Sequence, residues 1–281
     1  VRNLRDAIAE TTKVLKTAGV DNPRLDARVL IARVLQADTA QTFIRNDMLL
    51  TAEQETALAG FVARRSAREP VSRIVGGREF WGLNFAVTPD VLDPRADTEI
   101  LVSAAIDHAK RLNIAAPHIL DLGTGTGCIP LALLSAIPDA SAVAVDLSEA
   151  ALRVARANAQ DLNLAQRISF ARMSWGEGLS GPFDIIVSNP PYLSAGDLCD
   201  LSPEVRYDPR TALDGGEDGL ACYRALMPDI KRLARRPSIL ALEVGLAQAA
   251  PVARMAESAG LRVVEIRPDL AGIPRCVVAQ N

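Results

Sequence analysis

The sequence predicts an α/β protein: a Rossmann-like, mostly parallel sheet of about seven strands with helices on both faces, preceded by a helical bundle and a β-hairpin. Three observations carry this. From Pro117 onward, short apolar runs alternate with helical stretches, as in parallel strands joined by crossovers. The first 70 or so residues carry helix-period stripes and capping signals instead. Between them, aromatic and β-branched residues partly alternate beside glycines.

In the first segment, Leu4, Ile8, Leu15 and Ala18 fall on one helical face, and Gly19 can end that helix. Asp21-Asn22-Pro23 starts a second, whose stripe reads Leu25, Val29, Ala32 and Leu35. Thr51-Ala52-Glu53-Gln54 is a capping box, opening a helix with Ala57, Leu58, Phe61 and Val62. Pro70 disfavours helix at Glu69, so the bundle is expected to span residues 1–70. Residues 71–92 read as a hairpin linker, with Gly76-Gly77 as the turn and Phe80, Trp81, Leu83, Phe85 and Val87 as strand residues. Residues 93–281 are the expected α/β domain. Its strands are Ile119–Leu122, Ala142–Val145, Ile168–Ala171, Ile185–Ser188, Ile239–Val244, Leu261–Ile266 and Cys276–Ala279. Its helices are Ile129–Ile137, Glu149–Ala159, Leu220–Leu233 and Gln248–Ala259.

Composition excludes several classes. Among 281 residues, 49% are hydrophobic and 23% charged, which rules out a disordered chain. No apolar run is long enough to span a membrane, and the charged, amphipathic start is unlike a signal peptide, so a cytoplasmic location and no membrane partner are expected. Cys128, Cys199, Cys222 and Cys276 have no metal-ligand spacing, so no metal is expected. His108 and His118 are the only imidazoles, and no acid nearby in sequence is spaced to orient them; both read as surface or helix-end residues. With a formal charge of -3, the chain is not expected to hold nucleic acid by bulk electrostatics.

The first α/β strand runs into Asp121-Leu122-Gly123-Thr124-Gly125-Thr126-Gly127. A glycine-rich turn between strand and helix lets a ligand approach the backbone. The dinucleotide fingerprint would place its third glycine where Cys128 stands, and a Walker A loop would need Gly-Lys-Ser/Thr. Nineteen residues after Gly127, Asp146 ends the next strand, where a carboxylate can accept both hydroxyls of a ribose. Asp121, this loop and Asp146 together suit a nucleoside without a pyrophosphate, and S-adenosylmethionine fits.

The fourth strand ends in Asn189-Pro190-Pro191-Tyr192. Two prolines cannot continue the ladder and fix a rigid loop at the carboxyl edge of the sheet, where ligands bind in such folds. An amide or aniline-type nitrogen is a poor nucleophile because its lone pair is delocalised. A site that methylates it needs acceptors for the NH2 hydrogens. The Asn189 side-chain oxygen and the Pro190 carbonyl can supply two, while Pro191 and Tyr192 offer a flat apolar wall. This is catalysis by positioning and electrostatics.

These residues carry a resemblance. The C-terminal two-thirds resembles the class I S-adenosylmethionine-dependent methyltransferases. The whole chain is similar to the protein-(glutamine-N5) methyltransferases that modify peptide chain release factors. The matching segments are Pro70-Val71-Ser72-Arg73-Ile74, Gly77-Arg78-Glu79-Phe80-Trp81, Pro94-Arg95, Asp97-Thr98-Glu99 and the two loops above. They continue with Arg206-Tyr207-Asp208-Pro209, Ala212-Leu213-Asp214-Gly215-Gly216, Glu243-Val244-Gly245 with Gln248, and Asp269-Leu270-Ala271-Gly272 with Arg275. The resemblance implies that residues 1–70 recognise a class 1 release factor and that the glutamine of its Gly-Gly-Gln motif is methylated. It further implies that Gly123, Thr124, Gly125, Thr126, Gly127, Asp146, Trp175 and Asn189 contact the cofactor. Asn189, Pro190, Pro191 and Tyr192 would hold the substrate amide, with Asn189, Pro190 and Tyr192 catalytic. Two positions depart from the family pattern: Asp93-Pro94-Arg95-Ala96 replaces Ile-Pro-Arg-Pro, and Ser174 stands before Trp175 where Asp is usual.

The competing reading is an adenine-N6 methyltransferase that flips a DNA or RNA base into the same loop. It would need a basic recognition face, for which Arg64, Arg65, Arg68, Arg73, Arg232, Arg235 and Arg236 are the candidates.

Overall fold

A computed structural model of the chain describes residues 2–37 and 47–281. It divides into two compact units: Val1–Gly77 with Ser202–Tyr207, and Arg78–Leu201 with Asp208–Asn281.

The smaller unit is built on helices α1 (Leu4–Thr17), α2 (Pro23–Leu35), α3 (Ala52–Ser66) and α4 (Val71–Val75). Asn3 caps α1, and the Thr51/Gln54 capping box opens α3 as expected. Leu4, Ile8 and Leu15 of α1 pack with Leu30, Ile31, Leu58 and Ile74. The stripe expected on α2 holds only toward its end, where Ala32 is buried and Leu35 packs against the core. Leu25 is exposed, and the buried face carries Asp26, Ala27, Leu30 and Ile31. Apolar residues surround this helix, so periodicity could not choose the face, and a buried acid argued against the right one. Asp26 is accommodated because Arg65 of α3 lies 2.7 Å away, at the side-chain exposures of 7% and 11% that mark a buried pair. Arg65 and Arg68 also pair with Glu204, at 3.0 and 2.6 Å. Residues 71–75 are helical, and Gly76 ends α4 in a left-handed conformation rather than turning the hairpin.

The larger unit opens with that hairpin, β1 (Gly77–Phe80) and β2 (Leu83–Ala86). Its turn is Trp81-Gly82, with φ of 54° and 71°, the double positive φ that two-residue hairpin loops need. Helix α5 (Glu99–Arg111), absent from the helices expected of the sequence, precedes β3 (His118–Leu122). Then follow α6 (Cys128–Ala136), β4 (Ser141–Asp146), α7 (Glu149–Asp161), β5 (Ile168–Arg172) and β6 (Phe183–Ser188). The chain ends with α8 (Ala221–Leu233), β7 (Ala234–Glu243), α9 (Ala249–Ser258), β8 (Arg262–Pro268) and β9 (Pro274–Gln280).

The seven strands lie in the order β5-β4-β3-β6-β7-β9-β8. Only the β7–β9 and β8–β9 pairs are antiparallel. Alternate strand residues feed two cores, as the two-residue strand period requires. Ile119, Ile185 and Ile239 pack with α5 and α6, while Leu120, Ile186 and Leu240 pack with α8 and α9. The chain order reverses at β3, which pairs with β4 on one side and β6 on the other. That reversal makes the crevice at the strands' carboxyl ends the natural ligand site.

His108 takes the helix-end position expected of it, whereas His118 opens a strand. His108 is buried at the end of α5, 2.7 Å from Glu265 on β8. The His118 ring stacks on Phe183, with centroids 4.4 Å apart. Their partners are remote in sequence, which local spacing could not reveal.

Candidate functional site

Strand register brings the two loops together. Asp121 of β3 pairs with Val187 of β6, and Leu122 pairs with Val145 of β4. The glycine loop after β3 therefore lies between Asp146, which ends β4, and Asn189, which follows β6. The Ser188 hydroxyl donates to the Leu122 carbonyl at 2.6 Å and ties the two strand ends together. On the other side of β6, Ser188 pairs with Leu242, so Glu243 of β7 stands next to Asn189.

The glycine loop is held open by hydrogen bonds from outside it. The Gly123 and Thr124 N–H groups donate to the Val145 carbonyl, both at 2.9 Å. Gly125 N–H donates to Asp146 Oδ2 at 2.9 Å, and Ser148 N–H to Asp146 Oδ1 at 2.9 Å. Asn158 of α7, buried, donates to the Thr126 carbonyl at 2.9 Å. No residue lies within 4 Å of where a Cβ on Gly125 would point, so the loop leaves room above it. Trp175 faces this loop, 3.8 Å from a Cβ built on Gly123, in a left-handed conformation with φ of 49°. A bulky residue is held there only when its surroundings impose it.

Ser174 and Trp175 line an open cavity of about 500 Å³ with Gly178 and, from α8, Ala225 and Asp229. Asp229 is committed to Arg232 at 2.7 Å and to Gly176 N–H at 3.0 Å. The exposed Ser174 hydroxyl and the exposed Glu177 carboxylate are further acceptors lining the cavity.

Asp121 Oδ1 and Oδ2 and Thr124 Oγ1 are buried with no hydrogen-bond partner. Buried polar groups are rarely left so, and those that are point to a missing ligand or a functional constraint. Two acceptor oxygens behind a glycine loop fit the ammonium of an amino-acid-bearing nucleoside, so these residues fit S-adenosylmethionine. Burial pushes the Asp121 carboxyl from 3.8 up to about 7. A raised folded-state pKa means stability that is complete below about pH 4 and is lost as pH rises through about 7. Asp121→Asn is therefore expected to raise the unfolding temperature at pH 8 by about 3–6 °C. The gain should shrink as pH falls to 4. Calorimetry across that range checks it, and a gain independent of pH would mean that the charge is not what costs stability.

The Asn189 loop is braced from below. Gln248 Nε2 donates to the Tyr192 carbonyl at 2.8 Å, and Gly245 N–H donates to Gln248 Oε1 at 3.0 Å. Any side chain at Gly245 would collide with the Tyr192 ring, a Cβ falling 2.9 Å from Cδ2; one at Gly219 would fall 2.5 Å from the Tyr192 carbonyl oxygen. The segments around Gly219, Gly245 and Gln248 thus act through the loop that they hold, a role sequence spacing gave no sign of. Burial pushes the Tyr192 phenol up to about 12, so it stays protonated at neutral pH. Asn189 Nδ2 donates to Thr98 Oγ1 at 3.3 Å. The adjacent Glu243 is buried, and burial pushes its carboxyl up to about 7.

The unusual Asp93 is also buried, and Arg78 meets its Oδ2 at 3.0 Å. A paired acid thus takes the place of an apolar residue. The neighbouring Arg95 meets the buried Asp208 at 2.5 Å.

The arginines that could have formed a nucleic-acid face are largely engaged. Arg64 pairs with Glu69, Arg65 with Asp26, Arg68 with Glu204, Arg232 with Asp229 and Arg235 with Asp184. Among the described residues no group of His, Cys, Asp or Glu could hold a metal, and no helix is long and apolar enough to cross a membrane.

Residues 6–76 match the PrmC N-terminal domain family, and residues 95–201 match the methyltransferase small domain family. The release factor glutamine methyltransferase of Rhodospirillum rubrum is 46% identical over 268 residues, covering 95% of this chain and 82% of its own. That of Bradyrhizobium diazoefficiens is 44% identical over 271 residues, covering 95% of this chain and 91% of its own. Among solved structures, the hMettl16 catalytic domain in complex with MAT2A 3′UTR hairpin 6 superposes with a TM-score of 0.58 at 16% identity. It covers 78% of this chain and 81% of that one, a likeness of fold alone.

Proposed function

Because the chain belongs to the release factor glutamine methyltransferase family, we infer that it methylates the side-chain amide nitrogen of the glutamine in the Gly-Gly-Gln motif of peptide chain release factors. The methyl donor is S-adenosylmethionine, which brings an electrophilic methyl group on a sulfonium centre. The observation that best supports this reading is the β3–β6 register, which sets the Asn189 loop beside the glycine loop.

In this reading, Asp121 and residues 123–127 hold the cofactor's amino-acid end. Asp146 accepts from its ribose, and Trp175 flanks the adenine, with the Ser174 hydroxyl beside it able to accept from the adenine amine. Asn189 Oδ1 and the Pro190 carbonyl accept the two amide hydrogens and so turn the nitrogen lone pair toward the methyl group. Tyr192, neutral at its raised pKa, and Pro191 form the wall against which the planar amide lies. No strong base is needed, because orientation and preorganised acceptors lower the barrier. The helical unit would select the protein partner, since every residue given a chemical role lies outside it. Work on a translation factor would place the enzyme in the cytoplasm.

The engagement of the arginines by carboxylates favours a protein substrate over a nucleic acid. Transfer of labelled methyl to whole release factor, duplex DNA and structured RNA tests this. Label is expected on the release factor, at its Gly-Gly-Gln glutamine, and equal labelling of DNA or RNA would overturn the assignment. The same assay with each class 1 release factor reads the preference between them.

A further inference from the structure

A primary carboxamide is nearly symmetric in shape. Turned by 180°, it exchanges an acceptor oxygen for an NH2 donor. At Asn189 the difference decides everything, because the substrate amide also presents NH2, and only Oδ1 can receive it. We propose that Thr98 and Glu243 are positioning residues that lock the Asn189 carboxamide with Oδ1 toward the substrate. The inference rests on the role given to Asn189 above.

The geometry sets the parts of a relay side by side. Asn189 Nδ2 lies 3.3 Å from Thr98 Oγ1. A hydroxyl donates one hydrogen and accepts on its lone pairs, so by itself Thr98 could hold the carboxamide either way round. Its hydrogen must therefore be claimed by something else. Thr98 is buried and its side chain makes no capping bond to α5, which leaves the hydroxyl free for another task. Glu243 is placed beside Asn189 by the Ser188–Leu242 register, is 3% exposed, has the Thr98 and Asn189 side chains facing its carboxyl, and keeps Oε2 without a hydrogen-bond partner and so able to take the Thr98 hydrogen. An ionised carboxylate only accepts. Once it takes the Thr98 hydrogen, only lone pairs are left toward Asn189, and Nδ2 must face them. Oδ1 is then the atom presented outward. A buried carboxylate is costly, and none of the chemical steps above uses this one.

The lock holds only while Glu243 is ionised. The titratable groups that face it are Asp97 before α5, Tyr192, Tyr223 of α8, Arg275 and Cys276 of β9, and Cys128 of α6. Burial pushes Tyr192, Tyr223, Cys128 and Cys276 upward, away from neutral pH. Glu243, pushed up to about 7, is the member that changes charge near neutrality.

The test is single-turnover methyl transfer to whole release factor at saturating cofactor, with cofactor affinity and unfolding temperature measured on the same full-length variants. Thr98→Val is expected to slow transfer by about tenfold or more, with cofactor affinity within about threefold of wild type. Thr98→Ser keeps the hydroxyl and should restore most of the rate. The wild-type rate should fall as pH drops below about 7, and Glu243→Gln should be slower and lack that decline. Wild-type transfer by Thr98→Val, or no rescue by Thr98→Ser, would overturn the lock. So would a Glu243→Gln variant that kept the same pH dependence. If Asn189→Ala itself transferred methyl normally, the reading of the site would fail instead.

Discussion

Asn189→Ala should slow methyl transfer to a release factor by about 100-fold or more, while cofactor affinity changes only a few-fold. The separation follows from where the side chain stands. It follows β6, and in the proposed site it is the residue that meets the reacting amide, while the cofactor's ribose and amino-acid ends are assigned to Asp146, Asp121 and the glycine loop. Removing Oδ1 leaves one substrate N–H unpaired in a partly dry pocket, about 1–3 kcal/mol. Lost alignment of the lone pair adds to that, since positioning is the main catalytic device here. Pro190 compensates poorly, because the rigid loop fixes its carbonyl toward the other amide hydrogen in the proposed site. Asn189→Asp keeps an acceptor oxygen but brings a charge and loses the Nδ2 bond to Thr98, so partial activity is expected. The measurement is single-turnover transfer with affinity determined in parallel. Wild-type transfer by Asn189→Ala would reduce the Asn-Pro-Pro-Tyr loop to a structural turn.

What the sequence made legible was local. The central strands of the parallel sheet were readable because they are short, largely buried runs, such as Phe183–Ser188, in which every residue is inside. The glycine loop, Asp146 and Asn189 were readable because each sits at the end of such a run. Helix α5 was harder to see: Leu101, Val102, Ala104, Ala105, Ile106, His108 and Ala109 are all buried, which blurs the helical period. The braces of the site were not legible at all. The order of strands sets Glu243 beside Asn189, Thr98 reaches Asn189 from the start of α5, and Asn158 reaches the glycine loop from α7. No short-range spacing encodes such contacts. Even the motif segments that carried the resemblance gave no roles for Gly219, Gly245 or Gln248 until Tyr192 was seen resting on them.

Asp146→Ala should weaken S-adenosylmethionine binding by more than about tenfold, read by titration calorimetry. The carboxylate does two jobs. Oδ2 already accepts from Gly125 N–H and Oδ1 from Ser148 N–H, each at 2.9 Å, so it pins the glycine loop to the start of α7. Each oxygen has a second lone pair, and together these can accept two ribose hydroxyls. Hydrogen bonds to a charged acceptor contribute roughly 1.5–3 kcal/mol apiece, and they do not add fully because the loop can relax. Alanine removes both ribose acceptors and frees Gly125, so affinity falls through lost contacts and lost preorganisation together. Asp146→Asn separates the two: it keeps one acceptor but sets an NH2 where a donor already points, and an intermediate affinity is expected. Burial raises the Asp146 pKa, so binding should also weaken as pH falls and the carboxylate takes a proton. The fold should persist, because Ala151 N–H keeps its bond to the Ser148 hydroxyl at the start of α7 and the β4 pairings do not involve the side chain. An Asp146→Ala protein that bound the cofactor as tightly as wild type would move the ribose to another part of the crevice.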